Sequence, residues 1–276
     1  MSTFSPAAPV RLRFGISQPY ASQGMKSNPR LARLVHRVFG YTQVGNYARS
    51  VVFRRALQSV PLSSFQRVLD LGCGHGEYAF MMANALPKAH VVALDIMESC
   101  TDSVKRAQRH LQLPNLEPFT GYLENYEGPL FDFIYSVDVF EHIAPDAMPF
   151  QAALERLKPG GYFLVKMPAV EQRTIFPERL FEEHEEWLED EHIGQVYDAN
   201  DLAARVRAEG FEVVGVHATD GLLSRLGWEL GYFAKKGGRL LQLGTLPFLK
   251  GLVLIDNLRT DYARGNAIHV LARKPL

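Results

Sequence analysis

One short stretch, VLDLGCGHGEY at residues 68–78, narrows the folds open to this chain more than any other. An apolar run ends in three glycines on alternate positions, Gly72, Gly74 and Gly76. A buried strand that turns this sharply into a helix is the opening unit of a parallel sheet with helices on its faces. The sequence downstream keeps to that plan. RVLDLG (67–72), HVVALD (90–95), FDFIYSV (131–137) and GGYFLVKM (160–167) read as buried strands, and LEPFTGYL (116–123) as a weaker one. FEVVGVHA (211–218) and AIHVLARK (267–274) bring the expected number to seven. Helical segments fall between them, for example over 77–86 and 98–111. DANDLAARVRAEG (198–210) is the best marked, with Asp198 as N-cap, Asp201 three residues on and Gly210 as its stop. The expected class is α/β.

Glycine turns of this kind commonly cradle phosphates, yet this one carries Asp70 at its edge. A dinucleotide fingerprint needs a third glycine where this chain has Glu77, and no Gly-Lys-Ser/Thr follows to make a triphosphate loop. In an open α/β sheet a nucleotide-like ligand still sits at the carboxyl ends of the strands. Asp95 ends the second strand, 19 residues past Gly76, where an acid accepts from both hydroxyls of an unphosphorylated ribose. Asp70 would repel a pyrophosphate and attract a cation. An adenosine joined to a cationic amino-acid tail is S-adenosylmethionine, and the glycines let backbone approach it closely. The plainer alternative is a tight strand–helix turn, with Asp95 capping the next helix.

At these residues the chain resembles the class I S-adenosylmethionine-dependent methyltransferases. VLDLGCGHG is similar to the first motif of that family and VVALDI to its second. FDFIYSVDVFEHI, followed by LKPGGYFLV, is similar to the fourth and fifth strands of the small-molecule branch. The resemblance implies a Rossmann-like three-layer α/β/α sandwich. Its seven-stranded, mostly parallel sheet would run 3-2-1-4-5-7-6, the last strand antiparallel. The resemblance also implies that Asp70, Gly72, Cys73 and Gly74 surround the methionine part, that Asp95 holds the ribose and that Ile96 packs on the adenine. Leu123 would offer its backbone to the adenine edge, and Val137 would lie near the sulfonium. Many relatives have Gly-Asp after the third strand; this chain has Gly121-Tyr122, and Glu124 is assigned the contact with the adenine amino group.

Methyl transfer from a sulfonium is an in-line displacement that positioning alone can accelerate. An oxygen nucleophile often needs a base, and His142, just after the fourth strand, is the candidate for a catalytic base or a pocket residue. His184 and His192 flank an acidic run that reads as a solvated helix, so no metal is expected.

Charge divides the chain unevenly. From Met1 to Leu69 there are ten Lys or Arg and no Asp or Glu, which leaves 20 basic and 30 acidic residues in the remainder. The basic part either meets an anionic partner or packs against that remainder. NPRLARLVHRVF (28–39) reads as a basic amphipathic helix with Asn28 as N-cap and Pro29 opening it, and a second helix is expected over about 47–59. Residues 1–60 are therefore read as a basic helical extension, and 61–276 as the main domain. That domain is interrupted at 169–197, which includes the acidic ERLFEEHEEWLEDEH, and at 219–266 by an apolar segment. The insertion at 219–266 and the N-terminal helices are expected to cover an acceptor site, and the one at 169–197 is a further candidate.

The expected acceptor is a small molecule, and a lipophilic one is the sharper reading. The 29–39 helix suits an anionic membrane surface, and 222–258 a greasy lid. No run spans a bilayer, no secretion signal is seen, and two cysteines, Cys73 and Cys100, suit a reducing cytoplasm, with peripheral membrane contact as an addition. A nucleic-acid methyltransferase rests only on the positive N-terminus and lacks an RNA-binding module. A third reading is a protein that binds the adenosyl ligand without turnover. An oxidoreductase is opposed by Glu77 and Asp70.

Overall fold

The computed structural model describes residues 10–13, 15–16, 29–181, 197–258 and 265–276. All seven expected strands form there: β1 Arg67–Leu71, β2 His90–Asp95, β3 Leu116–Thr120, β4 Phe131–Val137, β5 Leu157–Pro168, β6 Glu212–Thr219 and β7 Ala267–Arg273. They make one sheet in the order β3-β2-β1-β4-β5-β7-β6. β7 runs antiparallel to both β5 and β6, and the other pairs are parallel. This is the Rossmann-like sheet that the resemblance implied.

Eight helices are used below: α1 Pro29–Phe39, α2 Val44–Ala56, α3 Glu77–Ala85, α4 Glu98–Leu111, α5 Phe150–Arg156, α6 Ala199–Ala208, α7 Leu222–Lys236 and α8 Arg239–Asp256. Strand alternation sorts the apolar residues onto two faces. Val68, Val91, Ala93, Phe133 and Tyr135 share one core with residues of α2, α3 and α4. Leu69, Val92, Leu94 and Ile134 share the other with residues of α5 and α6. The result is three layers, α/β/α.

Local signals behave as read where they fall on described residues. Asp198 caps α6, accepting from Asn200 N–H at 2.7 Å and Asp201 N–H at 2.8 Å. Asn28, His184 and His192 lie outside the described residues, and only 178–181 of the acidic piece lies within them. α2 starts three residues before the expected Tyr47, because Val44 and Ala48 pack on Leu246, Leu249 and Val253 of α8. At its other end Phe53 and Ala56 enter the core of the sheet itself. The basic first quarter does reach into the acidic remainder: Arg49 pairs with Asp138 at 2.8 Å, and the Gln66 and Arg67 N–H groups donate to Asp132, each at 2.8 Å. No described helix is long and apolar enough to cross a membrane.

Candidate active site

The glycine turn is built across the carboxyl ends of β1 and β2. Gly72 N–H and Cys73 N–H both donate to the Leu94 carbonyl, at 2.9 and 2.8 Å, and Gly74 N–H donates to Asp95 Oδ2 at 2.8 Å. Asp95 Oδ1 accepts from Met97 N–H at 2.9 Å, so the plainer helix-entry role is present too. Each carboxylate oxygen has two lone pairs, which leaves capacity to accept from a ribose. The glycines differ in what they leave open. At Gly72, with φ +77°, an added Cβ would come within 2.5 Å of Val139; at Gly74, with φ +51°, it would meet nothing within 4 Å. The first position serves packing, and the second exposes backbone that a ligand can approach.

Asp70 lies deeper than the mouth of the turn, where the sequence placed it. β1 is central, and the register partners Ala93 and Tyr135 hold Asp70 within the sheet, 2% exposed. Burial pushes its carboxyl up to about 8, and its Oδ2 has no hydrogen-bond partner. A buried orphan oxygen behind an open glycine turn, with a second carboxylate on the next strand, fits a ligand that joins a cation to a ribose. S-adenosylmethionine is such a molecule.

The remaining cofactor candidates are spread around this turn. Ile96, beside Asp95, is 59% exposed and presents an apolar surface to solvent. Cys73 is buried, and burial raises its thiol well above its ordinary range. Leu123 is buried in the same core as Leu94, at the head of a short 3-10 turn, Leu123–Asn125. Glu124, in that turn, is exposed, and its carbonyl accepts from Arg156 at 3.5 Å. Val137 is half-buried at the end of β4, which is fastened to β1 by Ser136 Oγ donating to the Leu71 carbonyl at 2.9 Å. Glu77, read only as a missing glycine, has its own work. Its Oε1 accepts from Gly15 N–H at 2.6 Å and from the Tyr41 hydroxyl, tying the N-terminal segment to the start of α3.

Beyond the ends of β4 and β5 opens a cavity of about 760 Å³. Arg49 from α2, Asp138 and Glu141 after β4, Lys166 from β5, and Asp220 and Ser224 after β6 all line it. His142, the base candidate, lines it as well. Asp138 is the hub: it bonds Lys166 Nζ at 2.6 Å and Arg49 Nε at 2.8 Å. Burial alone would raise its carboxyl, but the two cations outweigh that and hold it below the ordinary value. Among the described residues Glu141 makes no such ion pair. It is 1% exposed, its Oε2 is unsatisfied, and burial, followed by the charge of Asp138, pushes it up to about 8. Asp220 is raised too, chiefly by burial, and its Oδ1 is unsatisfied. Ser224 Oγ is a third buried polar atom without a partner on this wall. Asp138 and Asp220 both hold left-handed backbone, φ +54° and +59°, a strained choice for residues other than glycine.

The sequence singled out His142 on this wall but not the ion network around it. FDFIYSVDVFEHI contains Asp138 and Glu141, yet nothing in a linear reading tells that Arg49, Lys166 and Asp220 converge on them. α7 turns Ser224, Trp228 and Glu229 toward the cavity, while the apolar residues of α8 go inward to α2 or outward to solvent. Glu229 ties α7 to the segment after β5 by accepting from Ile175 N–H at 2.7 Å and Phe176 N–H at 2.8 Å.

Comparison with known proteins agrees with this architecture. Trans-aconitate 2-methyltransferase of Deinococcus radiodurans is 36% identical over 123 residues, covering 44% of this chain and 45% of that protein. Phthiotriol/phenolphthiotriol dimycocerosates methyltransferase 1 of Mycobacterium ulcerans is 34% identical over 116 residues, 41% of each chain. The matched stretches thus span less than half the length of either relative. Among solved structures, coclaurine N-methyltransferase bound to N-methylheliamine and S-adenosylhomocysteine shares the fold, with a TM-score of 0.56 at 17% identity, over 82% of this chain and 72% of that one. The family profile described as a methyltransferase domain matches residues 25–216, which take in the glycine turn, Asp95 and the loop after β4. Sheet order, turn geometry and this match lead to one assignment: the chain belongs to the class I S-adenosylmethionine-dependent methyltransferases.

Proposed function

We propose that this protein methylates a hydroxyl or amine of a small molecule bound in the cavity beyond β4. The observation that carries the reading is the set of unsatisfied atoms on that wall: Glu141 Oε2, Asp220 Oδ1 and Ser224 Oγ. Buried polar groups without partners are costly, and an acceptor with hydrogen-bond donors would satisfy them. S-adenosylmethionine supplies an electrophilic methyl group when bound. Asp95 and the glycine turn hold its adenosine, with Ile96 against the ring, Leu123 and Glu124 at the adenine edge and Val137 near the reacting end. Asp70 and the backbone of Gly72, Cys73 and Gly74 receive the amino-acid part. Glu141 takes the proton that the acceptor loses, since a carboxyl near 8 is matched to that task at neutral pH. His142 shapes the wall or serves as the alternative base.

The acceptor is amphiphilic in this reading. A second cavity of about 420 Å³, between α2, α7 and α8, shares Gly45, Arg49 and Trp228 with the first and is faced by Val44, Leu246 and Leu249. A polar reacting end would sit over Glu141 and an apolar remainder over Trp228. Peripheral membrane contact through α1 belongs to the same reading, supported by the exposed Leu31, Leu34 and Val38 on a helix that also carries arginines.

The test is calorimetric titration with S-adenosylhomocysteine, followed by turnover of a panel of hydroxylated and amine metabolites, including amphiphilic ones. Binding is expected to weaken about 10- to 100-fold in Asp95→Ala, as for loss of hydrogen bonds to a charged group. Turnover should collapse in Glu141→Gln while that binding persists. Binding without turnover of any acceptor would favour a ligand-binding protein instead.

A further inference from the structure

α8 is apolar on two sides. Its inner side, with Leu246, Leu249 and Val253, is buried against α2. Its outer side carries Leu240, Phe248, Leu254 and Ile255, followed by Leu258 just past the helix, exposed by 89, 63, 50, 56 and 80%. Together with Gly244, Pro247 and Gly251, these positions recur at the spacing of a single helical face, and none is charged. A helix facing only water would place charge there. α1 adjoins α8, where Lys250 Nζ donates to the Phe39 carbonyl. It adds a second outward stripe, Leu31, Leu34 and Val38, with the exposed Arg30 and Arg37 alongside.

The charges of this region are sorted by sign. Residues 221–258 contain two acids, Glu229 and Asp256, and both are buried. Both are occupied inside the fold, Glu229 as described and Asp256 by the Gly221 and Leu223 N–H groups at 2.8 and 3.0 Å. The exposed charges of the same stretch are Lys235, Lys236 and Arg239, at the end of α7 and the start of α8. Residues 29–69 add no acid at all.

We infer that the outer face of α8, with α1 beside it, docks on the surface of an anionic phospholipid bilayer. Acyl chains accept the leucines, Phe248 and Ile255, while lipid phosphates accept the lysines and arginines. A second copy of this chain would set like charges against one another, and a nucleic acid would leave the apolar stripe in water. The inference extends the α1 contact proposed above to a second and larger face, and it does not depend on methyl transfer.

The experiment is flotation of this 276-residue chain with vesicles of phosphatidylcholine alone, and of phosphatidylcholine mixed with phosphatidylglycerol, at low and high salt. The wild type should float with the anionic vesicles, less so as salt rises, and hardly with the neutral ones. Phe248→Asp combined with Ile255→Asp should weaken this binding at least about tenfold, as expected for two lost apolar anchors. Titration with S-adenosylhomocysteine checks that the variant is folded. If Arg30→Ser with Arg37→Ser abolishes flotation but the α8 variant floats like the wild type, the α1 contact stands and the α8 face is refuted. Absence of flotation with either vesicle refutes both. Wild-type dimers in light scattering that the α8 variant dissolves, or binding of single-stranded RNA in place of vesicles, would also overturn the inference.

Discussion

At the glycine turn, the groups that would hold a ligand lie mostly between Asp70 and Ile96, and hydrogen bonds from backbone N–H groups fix them. In the cavity beyond β4, Arg49, Asp138, Lys166 and Asp220 come from four separated stretches, and the first three meet through two ion pairs that share Asp138. The first region is set by the path of two adjacent strands, so its geometry follows once β1 and β2 pair. The second exists only when α2, the loops after β4 and β6, and β5 have all docked. A backbone-built site tolerates change in neighbouring side chains. An ion-built site depends on every member.

Four measurements test that contrast. The largest effect is expected from Lys166→Ala. It leaves Asp138 buried with half of its compensation, and removing one partner of a buried pair costs about 3–5 kcal/mol. Denaturant unfolding measures this, and a loss near zero would mean that Arg49 alone suffices.

Next comes Gly74→Val, which should separate binding from folding. Its Cβ enters open space, so stability falls only by the left-handed backbone penalty, about 1–2 kcal/mol. Binding of S-adenosylhomocysteine should fall by more than about tenfold, because the branched side chain occupies the path of approach. Equal loss of both would show a packing role alone.

The third concerns pH. Glu141 is raised from 4.5 to about 8, so the stability linked to its protonation is full below 4.5 and is lost as pH rises through about 8. Asp70 acts in the same direction, with a carboxyl also near 8. Buried His269, lowered to about 3, acts the other way up to about pH 6.5, so the wild-type Tm should decline between about pH 6.5 and 8, and less steeply in Glu141→Gln. Superimposable curves would mean that Glu141 ionises freely within the cavity.

The smallest effect is expected from Ile96→Ala. Loss of part of an exposed apolar contact should weaken S-adenosylhomocysteine binding about two- to fivefold, with no change in Tm. A null result would move the adenine elsewhere.

The contrast also explains what could be read from residue order. Seven strands and the capped helix at Asp198 were legible because alternation, glycine placement and capping act over a few residues. Asp95 at the end of the second strand was legible from its spacing past Gly76, whereas its hydrogen bond with Gly74 N–H, 21 residues back, was not. The depth of Asp70 was not, since it depends on β1 being central between β2 and β4. Nor was Glu77's hold on Gly15 and Tyr41, which closes a loop of distant partners. α8 shows a third kind of limit. Its leucines were visible, but two apolar sides on one helix give no indication in sequence of which is covered.

Asp220 carries a consequence for how such a protein can change. It combines a left-handed backbone, a buried carboxyl raised by its surroundings and an oxygen without a partner. Glycine would relieve all three at once, so a selection for heat resistance alone would favour that exchange and leave the fold standing. If Asp220 meets the acceptor as proposed, keeping an aspartate there trades heat resistance for a polar group on the cavity wall.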